Sequence, residues 1–528
     1  MTRGSTLFRR SAGTALVAAA WALSPAAAGA APGELPGASA SPAASAYRFH
    51  EDHVLGTSLD ATVMAADTAQ ARRALEAARS EIRRLDAVLS GHRADSELSA
   101  LNANPADEAA VSHDLFAVLA SAEQWRARTD GAFSGRLGGV LALWQAAARD
   151  GRSPAPQQLA EAAAAADGAA VRLDMDGQRI QRPAGLVFAL DAIAKGYIVD
   201  AAVDAARRAE PGIRGLMLDI GGDVRCWGEA PRADGWQIGV ADAAQPADNA
   251  APAARLALQE RSIASSGRGA RDLRIGDEAF AHIVAPQDGQ PMQRSASATV
   301  IAERTADADA LATAFSVMPP EASLALADTL PGVAVLLQTA DGRTFASRRW
   351  RAGTATASAS AGRDAPRLWQ TAASATAAAP WPKDYLATIA YEVPKIDAES
   401  YRAPYVTIWI TDENKQLVRT LLVLGEKPKW IDSNYVWWRR YGRKMTGLDT
   451  IAKPTRQPGR YTLSWDGLND DGQPAGQGKY LVHVEASREH GSHTYQSFDL
   501  ELGAAALEKS LPAKEEMGAL RLVYGKGS

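Results

Sequence analysis

The sequence predicts an α+β protein in which a mixed α/β unit is followed by a small all-β sandwich. Helical and strand-like patterns mix over the first 350 residues without a regular βαβ period, which favours α+β. Residues 351–380 are poor in aliphatic side chains and rich in Ala, Ser and Thr, as linkers are. Beyond them, short apolar runs alternate with polar residues and six of the 13 tryptophans occur. That pattern is typical of an antiparallel sandwich.

Length and composition agree with more than one folded unit. The chain has 528 residues, more than the roughly 100–200 of a typical domain. Its 46% hydrophobic and 22% charged residues exclude wholesale disorder. The net charge of −4 provides no basic footprint, so nucleic acid is not an expected partner. One cysteine, Cys226, excludes an internal disulfide and thiolate-rich metal sites, and any metal is expected to bind oxygen or imidazole.

The N-terminus has the pattern of a secretory signal peptide. Three arginines precede an apolar run over residues 12–23, and Ala28-Gly29-Ala30 offers small residues to a signal peptidase. The run is shorter than the about 20 apolar residues of a membrane span. We therefore expect a signal peptide at residues 1–30 and a flexible leader at 31–46. The mature protein is expected to be exported, either free in the periplasm or attached to the outer face of the inner membrane. Arg9-Arg10 leaves the twin-arginine route open beside the general one.

The elements of the first unit follow from hydrophobic spacing. A strand is predicted at residues 53–64, and helices at residues 66–89, 113–128 and 155–170. Short strands bounded by Gly, Asp and Pro are predicted at residues 215–220, 236–240 and 298–302. Together these elements place a first unit, expected to be catalytic, at residues 47–350.

The second unit is predicted to be an antiparallel sandwich at residues 381–503, followed by a tail at 504–528. Its alternating runs are residues 405–410, 421–424, 460–465 and 479–485, and residues 467–478 form a turn-rich connection. Residues 437–444 are aromatic and basic. They either dock a partner or an anionic surface, or form a loop whose tryptophans lie in the core.

Asp309 and Thr313 lie in residues 306–315, which follow a strand and are expected to be helical. Four residues apart on a helix, their side chains share one face. A carboxylate and a hydroxyl suit Mg²⁺, which takes one or two protein carboxylates and completes its shell with phosphate and water. The alternative is that Asp307 and Asp309 cap and charge the N-terminus of the helix.

Lys195 and Gly196 follow small residues at a predicted helix start. Backbone groups and one cation can approach a phosphate there, although the spacing of a P-loop is absent. The alternative is an ordinary surface turn.

His282 ends a predicted strand that runs into a turn rich in Pro and Gly. Its imidazole titrates near neutral pH and suits a general base. The alternative is a structural histidine.

Residues 219–225 predict a strand followed by a turn at Gly221-Gly222. The backbone there can approach a ligand, or the glycines serve tight packing.

Eight short motifs follow one another along about residues 50–340. They are residues 55–57, 96–102, 129–133, 194–197, 221–223, 265–267, 282–283 and 308–313. In this order they resemble the ApbE family of FAD:protein FMN transferases. The resemblance implies a Mg²⁺-dependent enzyme that cleaves the pyrophosphate of FAD. It attaches FMN through a phosphoester to a Ser or Thr hydroxyl of a target flavoprotein and releases AMP.

The resemblance also implies roles for individual residues. Asp309 and Thr313 match the family's metal-binding side chains, and the backbone carbonyl of Ala192 is expected as a third ligand. Lys195 matches the lysine beside the flavin nucleotide, and His282 matches the histidine proposed as base for the incoming hydroxyl. Contacts to FAD are expected at Leu55, His92, Ala132, Phe133, Ser134, Ala189 and Ile283.

Three positions depart from the family's pattern. Leu55 stands where Met is usual, and Ser134 stands where Asp is usual. Ala189 stands where the family has the Asp of a run like Asp-Leu-Gly-Gly, so it lacks a carboxylate expected to touch the flavin or its ribityl chain. Asp191 replaces that carboxylate only if the turn is rearranged. The two metal-binding side chains are intact.

The sequence thus predicts an exported FMN transferase with an appended immunoglobulin-like domain of unknown function that helps to recognise the target. It is expected to use FAD and Mg²⁺. Its partner is a target flavoprotein, which can be membrane-associated. One alternative is a Mg²⁺-dependent FAD pyrophosphatase, in which water is the nucleophile at the same site. The other is a non-catalytic FAD-binding protein, which the missing carboxylate at Ala189 leaves open.

Overall fold

The computed structural model describes residues 44–243, 252–268, 272–275, 278–293 and 295–351. Within 379–526 it describes all but residues 380, 383–384, 397–402, 426–430, 445–451, 454, 457, 471–472, 489–490 and 504. The predicted signal peptide, most of the leader and most of the linker lie outside these residues. The first strand begins at Ser45, two residues before the predicted start of the first unit.

The first unit mixes helices and strands, as predicted. Its strands are β1 (Ser45–Val54), β2 (Thr57–Ala65), β3 (Glu108–Ala110), β4 (Arg172–Asp174), β5 (Arg179–Gln181), β6 (Gly215–Ile220), β7 (Asp223–Gly228), β8 (Trp236–Val240), β9 (Ala254–Leu258), β10 (Ser262–Gly267), β11 (Leu273–Ile275), β12 (Glu278–Phe280), β13 (Ser295–Ala302), β14 (Ala334–Thr339) and β15 (Thr344–Ala346). Its helices are α1 (Thr68–Leu89), α2 (Glu97–Ala103), α3 (His113–Arg128), α4 (Gly138–Asp150), α5 (Pro156–Gly168), α6 (Asp191–Ala209), α7 (Thr305–Val317) and α8 (Pro320–Thr329). The single strand predicted at residues 53–64 is instead the end of β1, a tight turn and most of β2.

An eight-stranded antiparallel sheet forms the centre of the first unit. Its strand order is β1-β2-β6-β7-β10-β13-β14-β15. Helix α6 packs against both α1 and α7, and the three helices pack against the sheet and bury its main apolar core. The β8–β9 hairpin packs with the opposite face through Trp236 and Leu258. Cys226 lies in the core on that face, and burial raises its pKa to about 12, as for an unreactive structural thiol.

Helix α1 follows the predicted pattern closely. Asp67 caps it, because its carboxylate accepts a hydrogen bond from the backbone N–H of Gln70 at 2.8 Å. Leu75, Ile82 and Leu85 are buried on the face that meets the sheet and α6. Apolar burial at helical spacing therefore fixes this helix, as the sequence indicated.

The start of α7 is held by a carboxylate from α6. Asp200 Oδ1 accepts from the backbone N–H of Thr305 at 3.0 Å and from its hydroxyl at 2.8 Å, and Oδ2 accepts from the N–H of Ala306 at 3.2 Å. Burial of Asp200 raises its pKa, and these hydrogen bonds oppose that rise. The first N–H groups of α7 therefore depend on a residue more than 100 positions earlier in the chain.

We expect Asp200→Ala to lower the free energy of unfolding by about 1–3 kcal/mol, because it removes the acceptor from two buried backbone N–H groups. Asp204→Ala is the matched control, since Asp204 lies one turn later on α6 with 55% of its side chain exposed. It should change the free energy by less than about 0.5 kcal/mol. Urea denaturation of the full chain compares the two variants, and equal losses would contradict the capping role.

The second unit is a two-sheet sandwich, as predicted. Its strands are β16 (Tyr385–Val393), β17 (Tyr405–Asp412), β18 (Leu417–Leu424), β19 (Ala452–Lys453), β20 (Gly459–Trp465), β21 (Gly478–Ser487), β22 (His493–Leu502), β23 (Leu507–Leu511) and β24 (Leu520–Lys526). One sheet has the order β20-β16-β24-β23 and the other β19-β18-β17-β21-β22. Ile389 and Leu522 of the first sheet share a core with Ile408 and Val484 of the second.

The predicted tail at residues 504–528 is wrong. Strand β24 pairs with β16 along seven residue positions, and β23 pairs with β24 at the sheet edge. The buried positions of β24 alternate with exposed ones, so Leu520, Leu522 and Tyr524 point into the core. The sandwich therefore extends to Lys526.

The aromatic and basic residues 437–444 include the end of a short helix, α9 (Tyr435–Arg440). Trp437 is fully buried in a small core with Trp409 and Val423, so the interpretation that placed tryptophan in the core is confirmed at this position. Arg439 and Arg440 are exposed. The described part of α9 therefore divides into an apolar inner side and a basic outer side.

Candidate active site

A cavity of about 770 Å³ opens at one end of the eight-stranded sheet. It is lined by Leu55 in the β1–β2 turn, Gly221 in the β6–β7 turn, Ser266 and Arg268 at the end of β10, His282, and Lys195 from α6, among others. The structure thus brings three residues that the sequence singled out, Leu55, Lys195 and His282, to one cavity. Its large volume and mixed polar and apolar lining suit a small-molecule ligand.

Leu55 has an unusual backbone in this lining. Its φ angle is 49°, in the left-handed region that favours glycine. Such a conformation costs a non-glycine residue about 1–3 kcal/mol and is found preferentially at functional sites. The turn places Leu55 and Gly56 at the cavity wall.

Lys195 lies inside α6, where its ammonium forms an ion pair with the carboxylate of Asp223 at the start of β7. Only 12% of the Lys195 side chain and 1% of the Asp223 side chain are exposed. The interpretation of Lys195 and Gly196 as a surface turn is therefore wrong. The sequence motif instead provides a buried cation at the cavity wall.

Asp309 and Thr313 lie on α7 and share a face, as their spacing predicted. Asp309 is 4% exposed, and its Oδ2 accepts from the backbone N–H of Gly196 at 3.2 Å. The hydroxyl oxygen of Thr313 lies 3.2 Å from that of Ser266, which lines the cavity. Both side chains therefore contact residues of the cavity wall or their immediate neighbours.

Neither aspartate caps α7 with its side chain, so the capping part of the alternative interpretation is wrong, although Asp307 does place a negative charge in the first turn of the helix. The cap is Asp200, as described above. Asp307 accepts a hydrogen bond from the indole N–H of Trp125 at 2.9 Å. Asp309 points instead toward α6.

The donors around Asp309 fit a hard cation such as Mg²⁺. They include the buried carboxylate of Asp309 and the hydroxyl of Thr313 on one face of α7, while the carbonyl of Ala192, in the first turn of α6, stays a predicted third ligand. Among the described residues, no cluster of three or more His, Cys, Asp and Glu side chains is arranged to hold a metal ion. A cation here would therefore take most ligands from neutral oxygens, substrate phosphate and water, as Mg²⁺ does.

His282 follows β12, and the carboxylate of Asp272 lies beside its imidazole ring. Its Nδ1 lies 3.4 Å from Oδ1 of Asp272, and Nε of Arg268 donates to Oδ2 of Asp272 at 3.1 Å. Both His282 and Arg268 line the cavity. A carboxylate in this position orients the imidazole and stabilises the imidazolium that forms when the ring accepts a proton.

Other residues expected at the site are not part of the cavity lining. Ile283 is 8% exposed and packs in a small core with Ala281 and Met292. Phe133 is 1% exposed, and its N–H donates to the hydroxyl of Thr129 at 2.9 Å. Ala132 is 6% exposed and Ser134 is half-buried.

His92 and Ala189 lie near the start of α6. The N–H of Ala189 donates to the carbonyl of Gly135 at 2.9 Å, which joins this segment to the loop that contains Ala132, Phe133 and Ser134. Nε2 of His92 lies 3.6 Å from Oδ1 of Asp191, whose side chain is 52% exposed. Asp191 therefore occupies the first turn of α6 and pairs with His92.

Three charged residues that lie beside the predicted site residues were not identified from the sequence. Asp223 lies in the motif at residues 221–223, and Arg268 directly follows the motif at residues 265–267. Both motifs were recognised by their glycines, and the two charged side chains were not considered. Asp272 had no local signal, because only the fold brings it within reach of His282. A charge count around each motif could have found the first two but not the third.

Asp219 lies in β6 just before the Gly221-Gly222 turn, and Asp223 follows the turn at the start of β7. The side chain of Asp219 accepts from the N–H of Gly222 at 2.8 Å. Burial raises the pKa of Asp219 to about 7 from its usual 3.8, and the charges of Asp60 and Asp223 add to the rise while Lys195 opposes it.

We expect Asp219 to make the protein less stable as the pH rises from about 4 to 7. The folded state binds the proton of Asp219 more tightly than the unfolded state does. Protonation therefore stabilises the fold fully at a pH below the pKa of the unfolded state, and this stabilisation is lost as the pH rises through the pKa of the folded state. The slope is at most about 1.4 kcal/mol per pH unit. The free energy of unfolding, measured by urea denaturation, should fall less between pH 5 and pH 8 for Asp219→Asn than for the native chain. An unchanged difference would contradict the prediction.

Both units match families of known sequence. The ApbE family model matches residues 55–337, and a model described as "Predicted periplasmic protein (DUF2271)" matches residues 387–519. Within the described ranges, none of the helices combines the length and apolar character needed to span a membrane.

Individual relatives are similar to the first unit. An FAD:protein FMN transferase of Treponema pallidum is 31% identical over 297 residues, which cover 53% of this chain and 80% of the relative. One of Haemophilus influenzae is 30% identical over 273 residues, covering 49% and 77%. The crystal structure of an ApbE protein from Thermotoga maritima aligns with a TM-score of 0.53 at 26% identity, covering 59% of this chain and 99% of the other.

Proposed function

The chain belongs to the ApbE family, and we propose that it is an FAD:protein FMN transferase whose reaction takes place in residues 47–350. Relatives that bear this name support the activity. One observation supports the site most strongly: Lys195 and His282 line one cavity, and Asp309 bonds to the residue after Lys195. A cation, a base and a buried carboxylate therefore meet where a pyrophosphate would need them.

FAD is the substrate in this proposal. Its pyrophosphate lies against the cations of Lys195 and Arg268, which offset its negative charge. Mg²⁺, held by Asp309, Thr313 and the carbonyl of Ala192, would neutralise further phosphate charge when bound. The remaining predicted contacts to FAD are Leu55 in the lining, and His92, Ala132, Phe133, Ser134, Ala189 and Ile283 outside it.

His282 acts as the base. It takes the proton of a Ser or Thr hydroxyl of the target flavoprotein as that oxygen attacks the flavin-side phosphorus of FAD. A new P–O bond to the acceptor forms, the bond from that phosphorus to the bridging oxygen breaks, and AMP leaves. The carboxylate of Asp272 beside Nδ1 stabilises the imidazolium in this step.

Identifying the products tests the function against its alternatives. The full chain is incubated with FAD, Mg²⁺ and a candidate flavoprotein. Protein-bound FMN with one equivalent of AMP supports the transferase. Free FMN and AMP without modified protein support the pyrophosphatase, and unchanged FAD that binds the chain supports the non-catalytic alternative.

We further propose that the mature protein works in the periplasm after removal of residues 1–30, free or attached to the outer face of the inner membrane. The description of the family matched by residues 387–519 supports the compartment. In this setting the sandwich helps to recognise a target flavoprotein, which can itself be membrane-associated. N-terminal sequencing of the exported protein tests the cleavage site.

A further inference from the structure

We propose that Asp223 is a positioning residue that holds the ammonium of Lys195 at the cavity wall, an inference that rests on the proposed function. Asp223 belongs to the diglycine motif, which the mechanism above does not use. Its carboxylate is the ion-pair partner of Lys195, and its side chain is 1% exposed. Lys195 itself lines the cavity.

The backbone of Asp223 is fixed on both sides. As the first residue of β7 it lies opposite Ile220 in β6 and opposite Ala264 in β10. The preceding turn is tight, because Gly221 has a φ of 60° and a Cβ there would lie 2.6 Å from the side chain of Thr57. Asp223 therefore presents its carboxylate to α6 from a rigid sheet rather than from a loop.

The buried carboxylate of Asp223 lowers the stability of the folded protein. Its Oδ1 is buried and has no hydrogen-bond partner among the described residues. An unpaired buried acceptor of this kind destabilises a protein, and a buried ion pair seldom repays the desolvation of its charges. Stability alone gives no reason for this arrangement, whereas fixing a cation beside a ligand does.

The pair has opposite effects on binding and on turnover. Asp223 restrains Lys195, which favours the geometry of transfer. It also places a negative charge near the anionic pyrophosphate, which weakens binding of FAD. Removing the charge should therefore slow transfer without loosening FAD, whereas loss of a merely structural side chain would impair both.

The test compares Asp223→Asn with Asp219→Asn in the full-length protein. Both variants remove a carboxyl next to the same turn, but Asp219 bonds to the N–H of Gly222 rather than to Lys195. We expect Asp223→Asn to lower kcat at least about tenfold, with a dissociation constant for FAD that is equal or lower. Asp219→Asn should change kcat less than about twofold. FAD binding is measured by fluorescence titration without acceptor protein.

A double-mutant cycle decides whether Asp223 acts through Lys195. In a Lys195→Met background, Asp223→Asn should have no further effect on kcat. An unchanged kcat in the single variant, a parallel loss of FAD affinity and kcat, or an equal effect without Lys195 would each overturn the proposal. If the native chain transfers no FMN, the proposed function fails. The FAD titrations then test the pairing role of Asp223 by themselves. FAD binding that is equal or tighter in Asp223→Asn keeps the pairing role, whereas weaker binding, or tighter binding that persists in the Lys195→Met background, overturns it.

Discussion

Asp309→Asn should lower the rate of FMN transfer by about a thousandfold or more. Asp309 is the buried carboxylate of the proposed Mg²⁺ site, and the variant keeps an oxygen that can accept from Gly196 while losing the charge. Metal stabilisation of phosphate charge is worth several kcal/mol, and each 1.4 kcal/mol is about a tenfold change in rate. Initial rates of AMP release at saturating FAD and Mg²⁺ measure the effect.

Asp307→Asn is the matched control for this prediction. Asp307 lies two residues earlier on the same helix, and its side chain bonds to the indole of Trp125. An amide oxygen can keep that bond, so the rate should stay within about threefold of the native rate. Full turnover in Asp309→Asn, or equal losses in both variants, would refute the proposed metal site.

Gly196→Ala should both destabilise the protein and impair transfer. A Cβ at Gly196 would lie 2.5 Å from the carbonyl oxygen of Thr305 and 2.7 Å from the nitrogen of Ala306, which are backbone atoms and cannot swing away. Alanine gains about 1 kcal/mol in helix propensity, but overpacking of this kind costs about 1–3 kcal/mol. Moving α6 away from α7 would also stretch the bond between Gly196 and Asp309.

Gly139→Ala provides the comparison. Gly139 lies in the first turn of α4, and a Cβ there would meet nothing within 4 Å. That variant should be as stable as the native chain or slightly more stable. Thermal denaturation and FMN transfer are measured on both variants. A Gly196→Ala protein as stable and active as the native one would contradict the close approach of α6 and α7.

Local patterns predicted much of the fold. Helix α3 spans the predicted residues, and the Asp309–Thr313 spacing gave the right helix face, because burial at a period of 3.6 needs only neighbouring residues. Strand β24 was missed although its burial alternates, since its partner β16 lies more than 100 residues earlier. Pairing over such distances is not visible in a local window.

The site was predicted in part for the same reason. Lys195 and His282 stood out by residue type and by the order of the motifs. The carboxylates that hold them, Asp223 and Asp272, act through contacts that only the folded chain creates. Ile283 packs into a small core while its neighbour His282 lines the cavity, and its expected contact with FAD stays a prediction.

The intact mass of an acceptor flavoprotein shows directly whether this protein transfers FMN. The acceptor is incubated with this chain, FAD and Mg²⁺, and in parallel with the His282→Ala variant. We expect a gain equal to FMN less one water with the native chain, located on a Ser or Thr hydroxyl, and little or no gain with the variant. An acceptor of unchanged mass beside free FMN and AMP would contradict it.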